Sequence, residues 1–478
     1  MNQSMRHTPM IRPTPRSLTR AMLAAALLAS LAGCALAPAY ERPATPAPSA
    51  FKELAGWAPA APADALDRGP WWNLFGDPTL DGLMRQVEVN NQNVAAAVAA
   101  YAEARAIVAE QRAALFPTVT LNGGANRNGS RSGDGTANKY SLSIGSSWEP
   151  DVWGRLRAGI TAAQAQAQAS AADLASARLS AQGELAADYF NLRAVDAQRA
   201  LLATTIEGYQ RVLKITQNRF DVGIVPHSDV YQAQTQLASA QSDDLTLARQ
   251  RAQLEHAIAV LVGKAPADFA LAPAPWSVTV PDVPVGVPST LLERRPDIAA
   301  SERAVAAANA QIGIVRAAYF PQIGLSASYG PSASAIGDLF KASSMAWALG
   351  LSATETIFNG GANRAAVQGA DAAREQAVAR YRQTVLSAFA DVEDQLNATK
   401  ILVQQQDLRR VASEAADKVE EQVLNRYKAG QVSYSEVVQA QVTALSARRS
   451  LVQAQADRQT TAVALIQALG GGWHAGQE

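Results

Sequence analysis

The sequence carries two copies of one plan. Residues Arg219 to Gln234 align without a gap with Arg426 to Gln441, an offset of 207 residues, and eight of the sixteen positions are identical. The same offset relates Gly263 to Gly470. Earlier in each copy, Phe116-Pro117 and Phe320-Pro321 each close a helical pattern and open a strand-like one. Such a duplication predicts a pseudo-symmetric molecule in which neither copy buries its apolar faces alone.

Two kinds of pattern fill each copy. Alternation of period two marks short strands: Val119, Leu121 and Ala125 oppose Thr118, Thr120 and Asn122, and Tyr140, Leu142, Ile144 and Trp148 oppose Ser141, Ser143 and Ser147. Ile323, Leu325, Ala327 and Tyr329 form a third apolar face, and Met345, Trp347, Leu349 and Leu351 a fourth. Long stretches with no proline beyond the first turn mark helices, over 77–114, 153–220, 228–262, 296–318, 362–428 and 435–469. A helix of the longest kind would span on the order of 100 Å. Hydrophobic residues are 48% of the chain, largely alanine, which suits closely packed helical walls.

The first 33 residues hold Arg6, Arg12, Arg16 and Arg20, no acid, and an apolar run from Ala21 to Ala32. Leu31-Ala32-Gly33-Cys34 follows, resembling a bacterial lipobox, so residues 1–33 read as a lipoprotein signal peptide and Cys34 as the lipidated residue. An ordinary signal peptide with an incidental cysteine is the alternative. Ala35 after the cysteine favours the outer membrane, by resemblance to lipoprotein sorting in Gram-negative bacteria. Cys34 is the single cysteine, which excludes a disulfide within the chain and a multi-thiolate metal site. Without the first 33 residues, 38 basic residues stand against 42 acidic ones, so no basic field for nucleic acid remains.

The expected organisation is a Pro-rich extended tether over 34–70, a first repeat over 71–263 with a hairpin at 118–150, and a linker over 264–295. A second repeat follows over 296–470 with strands at 322–352, then a tail over 471–478. Four strands of this length cross a bilayer when tilted, but every backbone group in lipid must be paired. They therefore have to close with strands of other chains into a barrel with a wet interior. Two soluble hairpins packed on helices are the alternative.

In this order the motifs resemble the outer membrane factors, the TolC/OprM-like efflux channels, and in particular their NodT-type lipoprotein branch. The carriers are the lipobox, Trp71-Trp72, the paired Phe-Pro strand entries, the segment Leu291 to Ile298, and the two segments beginning at Arg219 and Arg426. The resemblance implies a mainly α fold with a membrane β-barrel: a homotrimer, four strands per chain in a 12-stranded barrel, and a long-helix α-barrel. It also implies a periplasmic adaptor protein as partner, an inner-membrane transporter of the RND type reached through that adaptor, and contact with outer membrane lipid. The adaptor would dock on two tips, Val222-Gly223-Ile224 and Ala429-Gly430-Gln431. Glu436 stands where members place a constriction acid, Asp229 is its companion in the first copy, and Tyr427 matches a tyrosine of the closed-state network. Gln439 departs from the pattern, standing where many members have an aspartate. Both acids also read simply as helix first-turn residues stabilised by the helix dipole.

His227, His256 and His474 do not cluster, and no catalytic or nucleotide-binding motif is found, so neither an enzyme nor a cofactor beyond the lipid on Cys34 is expected. The leading function is a passive exit duct for small molecules in a tripartite efflux pump. The alternatives are the exit channel of a type I peptide or protein secretion system, and a periplasmic coiled-coil lipoprotein without a pore.

Overall fold

The computed structural model describes residues 36–45, 48, 50–54, 70–129, 136–276, 278–281, 283 and 294–471. The signal peptide, Cys34, parts of the tether, the tip of the first hairpin, the segment Leu291–Leu292–Glu293 and residues 472–478 lie outside them. The elements in order are α1 (Pro78–Asn90), α2 (Gln92–Ala113), β1 (Thr118–Gly129), β2 (Thr136–Trp148), α3 (Arg155–Asp221), α4 (His227–Leu261), α5 (Pro296–Arg316), β3 (Gln322–Ala333), β4 (Met345–Thr354), α6 (Ala362–Lys428) and α7 (Tyr434–Ala468). Short 3-10 turns intervene, among them Trp71–Phe75 and Ala317–Tyr319. The chain divides into two compact units.

One unit gathers residues 104–167, 303–379 and the N-terminal segment up to Pro43 around the sheet. The sheet has the order β1-β2-β3-β4, and every pair in it is antiparallel. Its register puts the alternating residues of both repeats on common faces. Leu121 lies opposite Ile144, Ile144 opposite Tyr329, and Tyr329 opposite Trp347. A second apolar row runs from Trp148 through Leu325 to Leu351. The other face carries Thr120, Gly145 and Ser328 in one row and Asn122 beside Ser143 in the next. The apolar face is bare: Leu121 is 70%, Trp347 73% and Leu349 76% exposed. β1 and β4 are the sheet's edges, each paired on one side only.

Within the same unit the N-terminal segment is strapped to α5. Asn309 donates its side-chain N–H to the Pro38 carbonyl at 2.8 Å. Gly313 is needed there because a Cβ would sit 2.5 Å from that of Ala37. The Arg303 guanidinium lies 5.8 Å from the centre of the Tyr40 ring.

The other unit is helical, formed by residues 44–103, 168–302 and 380–478. Asp77 caps α1, accepting from the Thr79 and Leu80 amides at 2.8 and 3.1 Å, and Pro78 occupies the first turn, where its missing N–H costs nothing. Trp71, Trp72 and Phe75 are buried. The Trp71 indole donates to Gln182 at 3.1 Å, Phe75 packs 4.8 Å from Phe190, and the Tyr189 hydroxyl donates to Asp77 at 2.6 Å.

One helix was expected over 77–114, and two are found. Asn91 breaks the run because its side-chain oxygen caps the next helix, accepting from the Asn93 and Val94 amides at 3.0 and 3.1 Å. Its side-chain N–H donates to the Leu261 carbonyl at the end of α4, at 2.9 Å. One asparagine thus answers orphan groups of two helices.

Asp188 of α3 is half-buried beside Glu184, and burial, then the Glu184 charge, push its carboxyl up to about 6. The repeat-equivalent residue, 207 positions on, is the neutral Gln395. A carboxyl raised in the folded state favours folding most below its unfolded value. That contribution is lost as pH rises through the folded value. Asp188→Asn is therefore expected to stabilise the protein near neutral pH by up to about 2–3 kcal/mol. The gain should shrink towards pH ~4, which thermal unfolding at the two pH values will measure.

Candidate gate and docking tips

Two hairpin tips end the helical pairs, and their backbones are built alike. After α3, the Gly223 amide donates to the Phe220 carbonyl and the Ile224 amide to the Arg219 carbonyl, both at 2.8 Å. After α6, the Gly430 amide donates to the Tyr427 carbonyl at 2.9 Å and the Gln431 amide to the Arg426 carbonyl at 3.0 Å. Both are Schellman closures, which need a left-handed residue. Gly223 has φ +76° and Gly430 φ +75°. Nothing lies within 4 Å of a Cβ built on Gly223, so it is the turn and not a crowded neighbour in this chain that selects glycine.

The side chains of the two tips differ. Each copy brings an aromatic pair across its turn at repeat-equivalent positions. Phe220 and His227 stack at 4.5 Å, and Tyr231 extends the stack at 4.3 Å from His227. Tyr427 and Tyr434 sit 5.5 Å apart in the second copy. The second pair is buried, at 3% and 2% exposure, in a cluster with Val212, Ala233 and Val437. In the first copy Tyr231 is 57%, Val222 69% and Ile224 62% exposed. Ala429, Gly430 and Gln431 are exposed too, but offer little apolar surface.

Arg219 locks the second tip. Its guanidinium lies 4.9 Å from the Tyr427 ring centre and donates to the Tyr427 carbonyl at 3.1 Å. A cation is thus placed at the carboxyl end of α6, where the helix dipole and an aromatic face both favour it. The Tyr427 hydroxyl approaches that of Thr216 at 3.5 Å, and burial pushes the Tyr434 phenol well up. Arg219, Thr216 and Tyr434 were not singled out from the sequence. Arg219 did recur as Arg426, and Tyr434 occupies the place of His227. Both coincidences were visible signals.

The acids make no hydrogen bond to this cluster among the described residues, though the Asp229 charge, after burial, helps raise the Tyr434 phenol. Glu436 is exposed, and its carboxylate accepts from the Ser433 amide and hydroxyl, each at 3.3 Å. It stands third in α7, where a carboxylate reaches back to the capping residue. Asp229, in the first turn of α4, is half-buried. Gln439 is exposed one turn beyond Glu436. Among the described residues no hydrogen bond or ion pair joins Asp229 to Glu436.

A sheet with one bare apolar face and open edges, together with long paired helices ending in glycine turns, defines an outer-membrane channel component. The chain belongs to the outer membrane efflux protein family, whose model matches residues 83–264 and 287–471. It is 32% identical over 468 residues, 96% of each chain, to the probable efflux pump outer membrane protein TtgC of Pseudomonas putida. Against the cation efflux system protein CusC of Escherichia coli it is 30% identical over 450 residues, 93% of this chain and 97% of that one. The solved outer-membrane channel OprN superposes with a TM-score of 0.85 at 29% identity, covering 92% of this chain and 100% of that chain. The protein is an efflux channel component of the outer membrane that extends into the periplasm. No helix among the described residues is long and apolar enough to cross a membrane.

The buried tyrosine gives a graded test. Tyr427→Ala should destabilise by about 3–5 kcal/mol, the range for emptying a buried aromatic site. Tyr427→Phe should cost less than about 1 kcal/mol, because it removes only one marginal hydroxyl contact. Denaturant unfolding of the purified variants will give the two values.

Proposed function

We propose that three copies of this chain form the exit duct of a tripartite efflux pump, with a periplasmic adaptor and an inner-membrane transporter behind it. One observation carries the reading: β1 and β4 each leave an edge unpaired while the whole sheet presents an apolar face. Backbone groups in lipid have to be paired, so β4 of one copy must meet β1 of the next, and three copies give twelve strands. The small polar residues of the other face then line water. Relatives are named for the efflux of toluene, pyoverdine and cations, and the duct is read as passive, with selectivity for small molecules set mainly by the transporter. No reaction is assigned to the chain, and no cofactor beyond the acyl group on Cys34.

The strap supports the anchor. Ala37 is held against Gly313 near the end of α5, and α5 leads into β3. Cys34 precedes Ala37 by three residues, a reach of at most about 10 Å. Lipid on Cys34 would therefore enter the membrane beside the strand entry. Mass spectrometry of the mature protein should find an acylated Cys34 at its N-terminus, and an unmodified cysteine there refutes the anchor.

The tips are the adaptor-docking end of this reading, through Val222, Gly223 and Ile224 in one copy and Ala429, Gly430 and Gln431 in the other. Asp229 and Glu436, repeated three times around the axis, would favour cations at a narrow entrance. Glu436→Gln separates the two roles of that acid, since glutamine still closes a capping box while the charge is lost. Bilayer recordings of Glu436→Gln combined with Asp229→Asn should show reduced cation selectivity, and unchanged selectivity removes the acidic gate. Leu349→Arg places a charge on the apolar face at about 2–4 kcal/mol per copy if it lies at mid-bilayer. Membrane-assembled trimer should fall sharply in that variant, whereas Ser328→Arg on the opposite face should be tolerated better.

A further inference from the structure

The four strands hold two charged side chains, Arg127 and Lys139, and both are cations. The register places them on opposite faces. Lys139 lies opposite Asn126, on the face of Thr120, Asn122 and Ser143, whereas Arg127 lies opposite Asn138, on the face of Leu121 and Ile144. Both stand at the end of the sheet away from the helices. The chain enters β1 from α2 at Thr118, which pairs with Ser147 at the exit towards α3, and Asn126 lies eight residues further along β1.

Lys139 is exposed, and among the described residues no ion pair engages it. The other charges at that end come with both signs. Asp338 and Lys341, between β3 and β4, pair with each other at 2.5 Å. The loop 130–135 holds one base and one acid, Arg131 and Asp134. The rest of the Lys139 face is neutral in all four strands, made of serine, threonine, asparagine, glutamine, glycine and alanine. No counter-charge on that face cancels the lysine, so its field reaches into the water the face adjoins.

We propose that Lys139, repeated three times in the assembled trimer, forms a cationic ring in the outer mouth of the channel, which draws anions in and holds cations back. The inference rests on the trimeric barrel reading, which turns the face of Lys139 to water and the far end of the sheet outward. Twelve strands about 4.8 Å apart and tilted by about 40° enclose a backbone cylinder of radius on the order of 12 Å. The lysine stems reach inward from that wall. Each ammonium therefore comes within about one Debye length of the axis, ~10 Å at 0.1 M salt. Three like charges acting on one section of an otherwise neutral lumen decide which sign of ion it favours. That sign is opposite to the one set by Asp229 and Glu436 at the tips. Arg127 lies on the lipid face and stays out of the ring.

The test labels a cysteine placed one row deeper on the same face, Ser141→Cys, in the full-length protein purified in a non-ionic detergent. Two methanethiosulfonates are used, one ending in a sulfonate and one in a trimethylammonium group. Each rate is divided by that reagent's rate with free cysteine, and the modified site is read by peptide mass. Ser141 stands two residues from Lys139, about 7 Å along the strand. Lys139→Gln should lower the anion-to-cation rate ratio at least about threefold in about 10 mM salt, and Lys139→Glu should lower it further. Both effects should fade in about 1 M salt, where the Debye length is about 3 Å. Arg127→Gln, one row away on the other face, should leave the ratio unchanged. Leu349→Cys tests the barrel by itself: labelling there as fast as at Ser141→Cys overturns the barrel and the ring with it. Labelling confined to Ser141→Cys, with a ratio unmoved in both Lys139 variants or moved equally by Arg127→Gln, overturns the ring alone.

Discussion

Backbone hydrogen bonding at the edges of the four-stranded sheet is the constraint on which the rest depends. Inside the sheet, β2 and β3 spend both sides of their backbone on neighbours. β1 and β4 spend one side only, and the apolar face they share is bare. In water such an edge invites aggregation; in lipid it is untenable, because each unpaired group costs several kcal/mol. Charged edge residues, prolines or a covering helix are the usual remedies for a soluble sheet, and none covers the apolar rows here. The sequence is organised to postpone pairing to assembly.

That demand explains the alternation. Small residues such as Gly145, Ser326 and Ser328 fill the polar face, while Trp347, Leu349 and Leu351 crowd the other. A one-residue slip in any strand would carry serines to the lipid side and leucines to the water side, so the register is strongly fixed. Pairing across the two repeats, Ile144 with Tyr329, is the step that joins the copies within one sheet.

The repeating parts were legible because they rest on local rules. Period-two runs located all four strands, glycine after a long helix located both tips, and proline-free stretches gave α6 its observed limits. What escaped depended on distant partners. Asn91 looked like one polar residue in a helical run until its bonds to α2 and to Leu261 were seen. Arg219 looked like a surface cation at a helix end, yet its partner is a carbonyl 208 residues away. The β2–β3 pairing cannot be read from spacing, because it joins segments whose separation in sequence carries no periodic signal. Glu436 was readable twice over, as a helix first-turn acid and as a constriction acid. The cap is what its 3.3 Å contacts with Ser433 describe.

Duplication gave the chain two equivalent tips, and later substitution made them unlike. The backbone closure was kept in both, since a glycine with positive φ is the only inexpensive way to end these helices so tightly. The aromatic pairs were free to diverge. Tyr427 and Tyr434 sank into a cluster with Val212 and Val437, held from the other pair of helices by Arg219. Phe220, His227 and Tyr231 stack on one another at the surface. Burial of the first kind stabilises the contact between two helical hairpins of one chain, because removing it exposes two aromatic rings together. Stacking of the second kind leaves those rings available to a neighbour. The same divergence marks Asp188 and Gln395, a carboxylate in one copy and an amide in the other at equivalent positions. An exact repeat would have made both tips lock or both tips stick. Unlike tips let a single chain fasten its two helical hairpins together at one while the aromatic stack of the other stays at the surface.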